Sequence, residues 1–329
     1  MMYYPERIKQ APLIGYTGFG GGATGLCGVG AGGCPNTSTF VGSRCYTAAG
    51  YVSSWVSSME YLTIQTTSNG SDFGDLTGPD FHDGCSNGTR GVFGGYHGPG
   101  AMDYITCDTG SNASDFGNLT SDRGPGAACD GAYALFGAGY FSSQWHKAID
   151  YVCVATPADA TDFGDCTFGK HGLKGISDDV RAIFGGGENS ASGGWTNIID
   201  YVTVQTPGDA SDFGDMTDGR HGYAGYGNGT RGIMAGGYTG SWVDTIEYIT
   251  AASTGNASDF GDLTQSRYGF GGACDATRGV HTGGYATSGG GGANLNYIDY
   301  ITISSTGNAT DFGDLYEPRR SHACLSGGS

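Results

Sequence analysis

Basic residues are scarce: 15 Lys and Arg stand against 32 Asp and Glu, for a net charge of −17. A general nucleic-acid binder presents a basic face, so nucleic acid is not an expected partner. Long apolar runs are missing as well. None approaches the roughly 18 residues that a membrane-crossing helix requires, and no membrane span is expected. The opening Met1-Met-Tyr-Tyr-Pro-Glu-Arg-Ile lacks the apolar core of a secretory signal, which predicts a protein that is not exported. The ten cysteines contain no Cys-x-x-Cys, and there is no His-x-His, His-Glu-x-x-His or Asp-x-Asp-x-Asp-Gly. Neither a metal site nor a cofactor is expected from motifs of that kind.

What the chain has in excess is glycine, 65 of 329 residues, far above the usual share of about 7%. There is no Gly-X-Y period, so collagen is excluded, and the plentiful tyrosine argues against a disordered glycine-rich chain. The glycines belong to a repeat. Asp-Phe-Gly occurs six times, starting at Asp72, Asp115, Asp162, Asp212, Asp259 and Asp311. Eleven residues before each stands a tyrosine (Tyr61, Tyr104, Tyr151, Tyr201, Tyr248, Tyr300), while the spacing between copies varies from 43 to 52 residues. A constant core with elastic connections is the signature of a repeat architecture.

One unit contains four strand candidates: His221–Tyr226, Thr230–Tyr238, the alternating Thr245–Ala251, and the short Ala257–Leu263. Asn228-Gly229 between the first two is a strong hairpin signal, expected to place both residues at positive φ. Four antiparallel strands per unit of this length make a blade of a β-propeller. The chain closes on Glu317–Ser329, a first strand with nothing after it, and past residue 43 it opens at Arg44 on a second strand lacking a first. Pairing those two ends predicts a closed ring of six four-stranded blades over residues 44–329, with no exposed edge. The alternative is a seventh blade built from residues 1–43. That glycine-rich stretch otherwise reads as a flexible leader, or as an arm using Ile14, Tyr16, Phe19 and Leu26 to dock on this propeller or a neighbour.

The recurring residues read as scaffold. The Asp of each Asp-Phe-Gly is expected to cap backbone N–H groups while Phe plugs between blades. Kinase-like use of Asp-Phe-Gly is excluded, because the glycine-rich nucleotide loop and the His-Arg-Asp loop are missing. Ser71-Asp-Phe-Gly-Asp-Leu-Thr77 also resembles the Asp-box turn of sialidase propellers, with one residue too many before Thr. Two basic series repeat. Arg44, Arg90, Arg181, Arg231 and Arg278 precede the second strand, and Arg123, Lys170, Arg220, Arg267 and Arg319 follow Asp-Phe-Gly, with Asp80 as the exception. Both are expected to fork onto carboxylates of their own or an adjoining blade, the alternative being a positive ring at one channel mouth. Six cysteines (Cys85, Cys129, Cys153, Cys166, Cys274, Cys324) replace small or apolar repeat residues and are expected to be free thiols. Cys27 and Cys34, outside the repeats, are the one candidate disulfide.

Recognition belongs where the repeat is unequal. From the second-strand residue to the repeat tyrosine the chain takes 14 residues at Arg90–Tyr104 and 22 at Arg278–Tyr300. The candidate surface is therefore His97, Tyr140, Trp145, His146, Glu188, Asn189, Trp195, Trp242, Asn294 and Asn296, rich in the residue types of adaptable binding loops. All four tryptophans lie six residues before a repeat tyrosine, a regularity that also suits packing at the start of the third strand.

The segments Ile199-Asp-Tyr-Val-Thr-Val204, Gly255-Asn-Ala-Ser-Asp-Phe-Gly-Asp-Leu-Thr264 and Thr230-Arg-Gly-Ile-Met-Ala-Gly-Gly237 resemble kelch-like repeats in structural proteins of tailed phages, especially marine and cyanobacterial ones. The likeness spans residues 44–329. It departs from kelch proper in lacking the spaced Tyr and Trp pair while keeping the Gly-Gly doublet. It implies a non-enzymatic virion component of the tail, fibre or outer decoration, assembled in the host cytoplasm. Its implied partners are other virion proteins, copies of itself and host-surface carbohydrate. The rivals are a sialidase- or glycosidase-type enzyme using an odd-loop acid such as Glu188, and a cytoplasmic kelch-type adaptor.

Overall fold

A computed structural model describes residues 34, 42–79, 81–95, 100–189, 193–288 and 291–328. Those residues form six four-stranded antiparallel sheets and contain no helix, and the sheets are the blades of a β-propeller. The inner strands, in blade order, are Ala323–Gly327, Phe81–Ser86, Gly126–Cys129, Lys174–Ser177, Ala224–Gly227 and Gly271–Cys274. The first blade joins both ends of the chain. Its inner strand Ala323–Gly327 pairs with Arg44–Ala48, which pairs with Ser58–Thr63 and then Ser71–Asp75. The closure expected from the two ends of the repeat is thus the observed one. The proposed leader lies outside the described residues apart from Cys34, Gly42 and Ser43.

Cys34 is bonded to Cys153 at a Cα separation of 5.8 Å, across 119 residues of chain. This rules out the candidate Cys27–Cys34 pair and corrects one expectation, since Cys153 is not a free thiol. Cys153 ends the third strand of the third blade and is half-buried. Its sulfur is therefore reachable, unlike those of the buried Cys166, Cys274 and Cys324.

The inner strands crowd because their residues are small. A Cβ on Gly175 would lie 2.1 Å from the Ala127 carbonyl oxygen of the preceding blade. Between the first two strands of the fifth blade, only Gly229 takes positive φ, at 82°. Asn228 instead accepts the Thr230 and Arg231 N–H groups through Oδ1, while its own N–H donates to the Arg231 carbonyl. The side chain closes a longer Asx-type turn, so the expected pair of left-handed residues is not needed.

Asp-Phe-Gly works through its second and third residues. Each Phe is buried and meets the repeat tyrosine edge-on, as in Tyr151–Phe163 at 5.7 Å. It also packs across the blade boundary: Phe73 shares a core with Phe93, Ile105 and Cys107 of the next blade. The Gly sits at a bulge in the fourth strand. At Gly164 φ is +150°, and a Cβ would lie 2.3 Å from the Gly208 carbonyl oxygen in the turn of the following blade. The Asp is exposed in all six copies. Asp115 caps the Gly117 N–H, but the general capping role passes to a turn residue of the next blade, as where Asn256 Oδ1 accepts the Asp215 N–H.

The carboxylate before each repeat tyrosine is the buried joint of its blade. Asp150 is fully buried, accepts the Thr120 hydroxyl and N–H, and pairs with Arg123 at 2.7 Å. Lys170–Asp200, Arg220–Glu247, Arg267–Asp299 and Arg319–Glu60 repeat the arrangement at 2.7–2.9 Å. In each, the link entering a blade is bolted to that blade's third strand. The second basic series is therefore neutralised inside the wall and does not form a positive ring. The first series corrects the expectation of ion pairs. Arg90, Arg181, Arg231 and Arg278 lie over the repeat tyrosines at 4.2–5.3 Å. Each also donates to a carbonyl of the following blade, as Arg278 does to Ile64 across the ring closure.

Candidate functional site at the channel mouth

Strand direction puts two sets of connections on one face: the links between second and third strands, and those entering each blade. At the centre of that face the two sets pair locally. Tyr51 bridges Arg320, His221 bridges Tyr238, and Tyr268 bridges Tyr285, while Lys170–His171 pairs with Glu188–Asn189. Backbone hydrogen bonds from Gly222 to Gly172, Gly269 to Gly222 and Ser321 to Gly269 then link successive blades around the rim.

These pairs carry aromatic side chains into mutual contact. In the third blade Tyr140 meets Trp145 at 5.0 Å and reaches His171 at 5.3 Å. A longer run begins at Trp195, stacked on His221 at 6.1 Å and edge-on to Tyr238 at 5.2 Å. It continues through Trp242, stacked on Tyr268 at 6.3 Å, to Tyr285. Arg320 then lies between Tyr285 at 4.6 Å and Tyr51 at 4.7 Å, and Tyr51 meets Trp55 at 5.6 Å. Trp55 and Trp195 are 44% and 38% exposed, so the belt is open to solvent.

Inside the belt is a cavity of about 180 Å³, walled by His82, His171, His221, Tyr268, Phe270 and His322. Its inner end carries Lys174, whose ammonium donates to the His82 carbonyl at 3.0 Å and to Asp83 at 3.2 Å. Asp83 also accepts the Ala127 N–H and lines a second, narrower cavity among all six inner strands. The Lys174–Asp83 pair therefore lies between the mouth cavity and the one among the inner strands. Burial drives the His82 imidazole down to about 3, with His171 and Lys174 adding to the effect. Burial also lowers His171 and His221, against the opposing pull of Glu188. At neutral pH these rings are uncharged.

The sequence-selected residues divide accordingly. Tyr140, Trp145, Trp195 and Trp242 join the belt. Glu188 stands 3.8 Å from His171 at the rim. His146 approaches Ser121 at 3.3 Å on the flank of the third blade. Asn189 is buried, and its N–H closes a loop onto Gly194. Asn294 spends its amide on the Tyr51 and Val52 carbonyls and on Arg320, tying the sixth blade to the first. Neither asparagine is available to a ligand. Asn296 is half-buried, and its carbonyl accepts the Leu315 N–H. His97 lies outside the described residues. Sequence reasoning missed Tyr51, Tyr238, Tyr268, Tyr285, His221 and Arg320. A signal was present: in the sequence Gly-Tyr ends the second-strand segment at Tyr51, Tyr96, Tyr140, Tyr238 and Tyr285, and Glu188 takes that place in the fourth blade.

One buried constellation has the order of a nucleophilic relay. Tyr226 Oη is 2.9 Å from His281 Nε2, and His281 Nδ1 is 2.9 Å from Asp299. Burial pushes the Tyr226 phenol well above its ordinary value, so the relay does not supply a phenolate at neutral pH. Among the described residues no three His, Cys, Asp or Glu side chains converge as metal ligands. No helix among them is long and apolar enough to cross a membrane. No protein-family model matches the chain, and no curated protein matches it.

Proposed function

We propose that the chain is a non-enzymatic, kelch-like structural and adhesion module of a tailed-phage virion, holding other virion proteins and copies of itself and recognising host-surface carbohydrate through the mouth face. The observation that carries this reading is the aromatic belt. Tryptophan and tyrosine rings present apolar faces with polar tips, the chemistry that stacks on sugar C–H surfaces while leaving hydroxyls to hydrogen-bond. The rigid blades hold those rings in place before a ligand arrives, which reduces the ordering cost of binding. Purified protein applied to immobilised bacterial polysaccharides should bind, and Trp195→Ala or Trp242→Ala should weaken binding at least tenfold. Binding that both variants leave unchanged would overturn the reading, and absence of the protein from purified particles would favour a cytoplasmic adaptor.

Glu188 beside His171 favours a second reading, a hydrolase whose acid sits at the rim. Release of reducing sugar by the wild type, abolished in Glu188→Gln, would establish it over the first.

A further inference from the structure

We propose that the mouth cavity is a subsite for a single neutral hexopyranose residue, the end of a glycan whose following sugars lie along the belt. The inference rests on the carbohydrate reading above and adds to it a position and a charge. Size comes first. A cavity of about 180 Å³ exceeds the roughly 150 Å³ that accommodates a benzene ring in an engineered apolar site, and so accepts one six-membered sugar ring.

The wall suits such a ring. Tyr268 supplies an apolar ring, and the imidazoles of His82, His171 and His221 add polar edges. A neutral imidazole carries one donor and one acceptor nitrogen, as a sugar hydroxyl carries both functions. Charge then separates neutral sugars from acidic ones. The Lys174 ammonium in the wall is already held by Asp83 and the His82 carbonyl. An incoming carboxylate would have to displace Asp83 or be desolvated without a counterion. Glu188 at the rim and the net charge of −17 both repel it further. Position completes the case: the cavity opens among the belt rings and has the Lys174–Asp83 pair at its inner end, where a chain middle would have to break that pair to pass and a chain end would not.

The test uses the full chain at pH 7.5 and saturation-transfer NMR with the methyl pyranosides of glucose, galactose and mannose, and with methyl glucuronide. At least one neutral glycoside should bind, His221→Phe should weaken it at least tenfold, and Tyr316→Ala, an exposed side chain outside both belt and cavity, should leave it unchanged. If oligosaccharides bind and no neutral monosaccharide does, the cavity subsite is overturned and the belt reading survives. Tighter binding of the glucuronide overturns the neutral assignment. Failure of every saccharide overturns both. Should His221→Phe melt early, the Cε1–H resonances of His82 and His221 in the wild type give the same answer: glycoside-induced shifts support the subsite, and unshifted resonances during saturable binding overturn it.

Discussion

Arg123 and Arg90 differ little as residue types, yet their environments predict different costs of removal. Arg123→Met would leave Asp150 fully buried with only Thr120 to satisfy it, a loss of about 3–5 kcal/mol. Arg90→Met would cost about 1–2 kcal/mol, since its half-buried head trades a carbonyl contact and a stacked tyrosine for water. Urea midpoints of the two variants measure the contrast. Acid should weaken the fold through His82. Its ordinary value of 6.5 falls to about 3 in the folded chain, so below pH 6.5 the unfolded chain takes up a proton that the folded one refuses. Stability is then lost by about 1.4 kcal/mol per pH unit as pH falls between those values. Asp299 acts in the same direction lower down. Burial opposes its ionisation, but Arg267 and His281 hold it well below 3.8. That contribution is present above 3.8 and disappears as pH falls toward its folded value. Urea titrations from pH 7 to 4 should show the slope, and His82→Phe should flatten it.

At the scale of the fourth strand, Asp-Phe-Gly makes a prediction that its prominence in the sequence obscures. Gly164→Ala drives a Cβ against the Gly208 carbonyl at a strained φ and should cost about 1–3 kcal/mol. The exposed Asp162→Ala should stay within about 0.5 kcal/mol. Thermal melts of the two variants decide whether Gly or Asp carries the structural role. The recurrence of the triplet and its fixed tie to tyrosine were legible because they are local. That the basic residue after Asp-Phe-Gly meets a carboxylate was legible, but which carboxylate was not, because the acid beside the tyrosine lies 27 to 32 residues further on in the pairs Arg220–Glu247 and Arg267–Asp299. The belt was half legible for the same reason. Tryptophans at a constant offset stand out within one repeat, whereas Trp242 on Tyr268 or Arg320 on Tyr51 exist only once blades are side by side.

Across the whole molecule, the ring depends on one strand contributed from the far end of the chain. Thr47 and Cys324, neighbours in the first blade, are 277 residues apart. Truncation after Ser321 would strip Arg44–Ala48 of its inner partner and expose a strand edge. The expected result is a broadened melt and self-association by light scattering, reversed by a synthetic peptide covering residues 317–329. That closure was readable because the first and last units of the repeat are complementary fragments. The Cys34–Cys153 bond was not readable, since nothing in spacing connects residues so far apart. Peptide mapping without reductant should recover the two as one linked fragment, with Cys45, Cys107 and Cys324 alkylated only after unfolding.

The bond between Lys174 and Asp83 also bears on transport and timing. A propeller with an open axis would let a small solute enter by one face and leave by the other. Here Lys174 and Asp83 stand on the axis between the two cavities, so among the described residues the mouth is the open way in and out. The lifetime of any occupant is then governed by whatever covers that one exit. A long polymer lying along Trp195 and Trp242 would act as its own latch, so dwell time should rise with chain length faster than the added stacking alone would give.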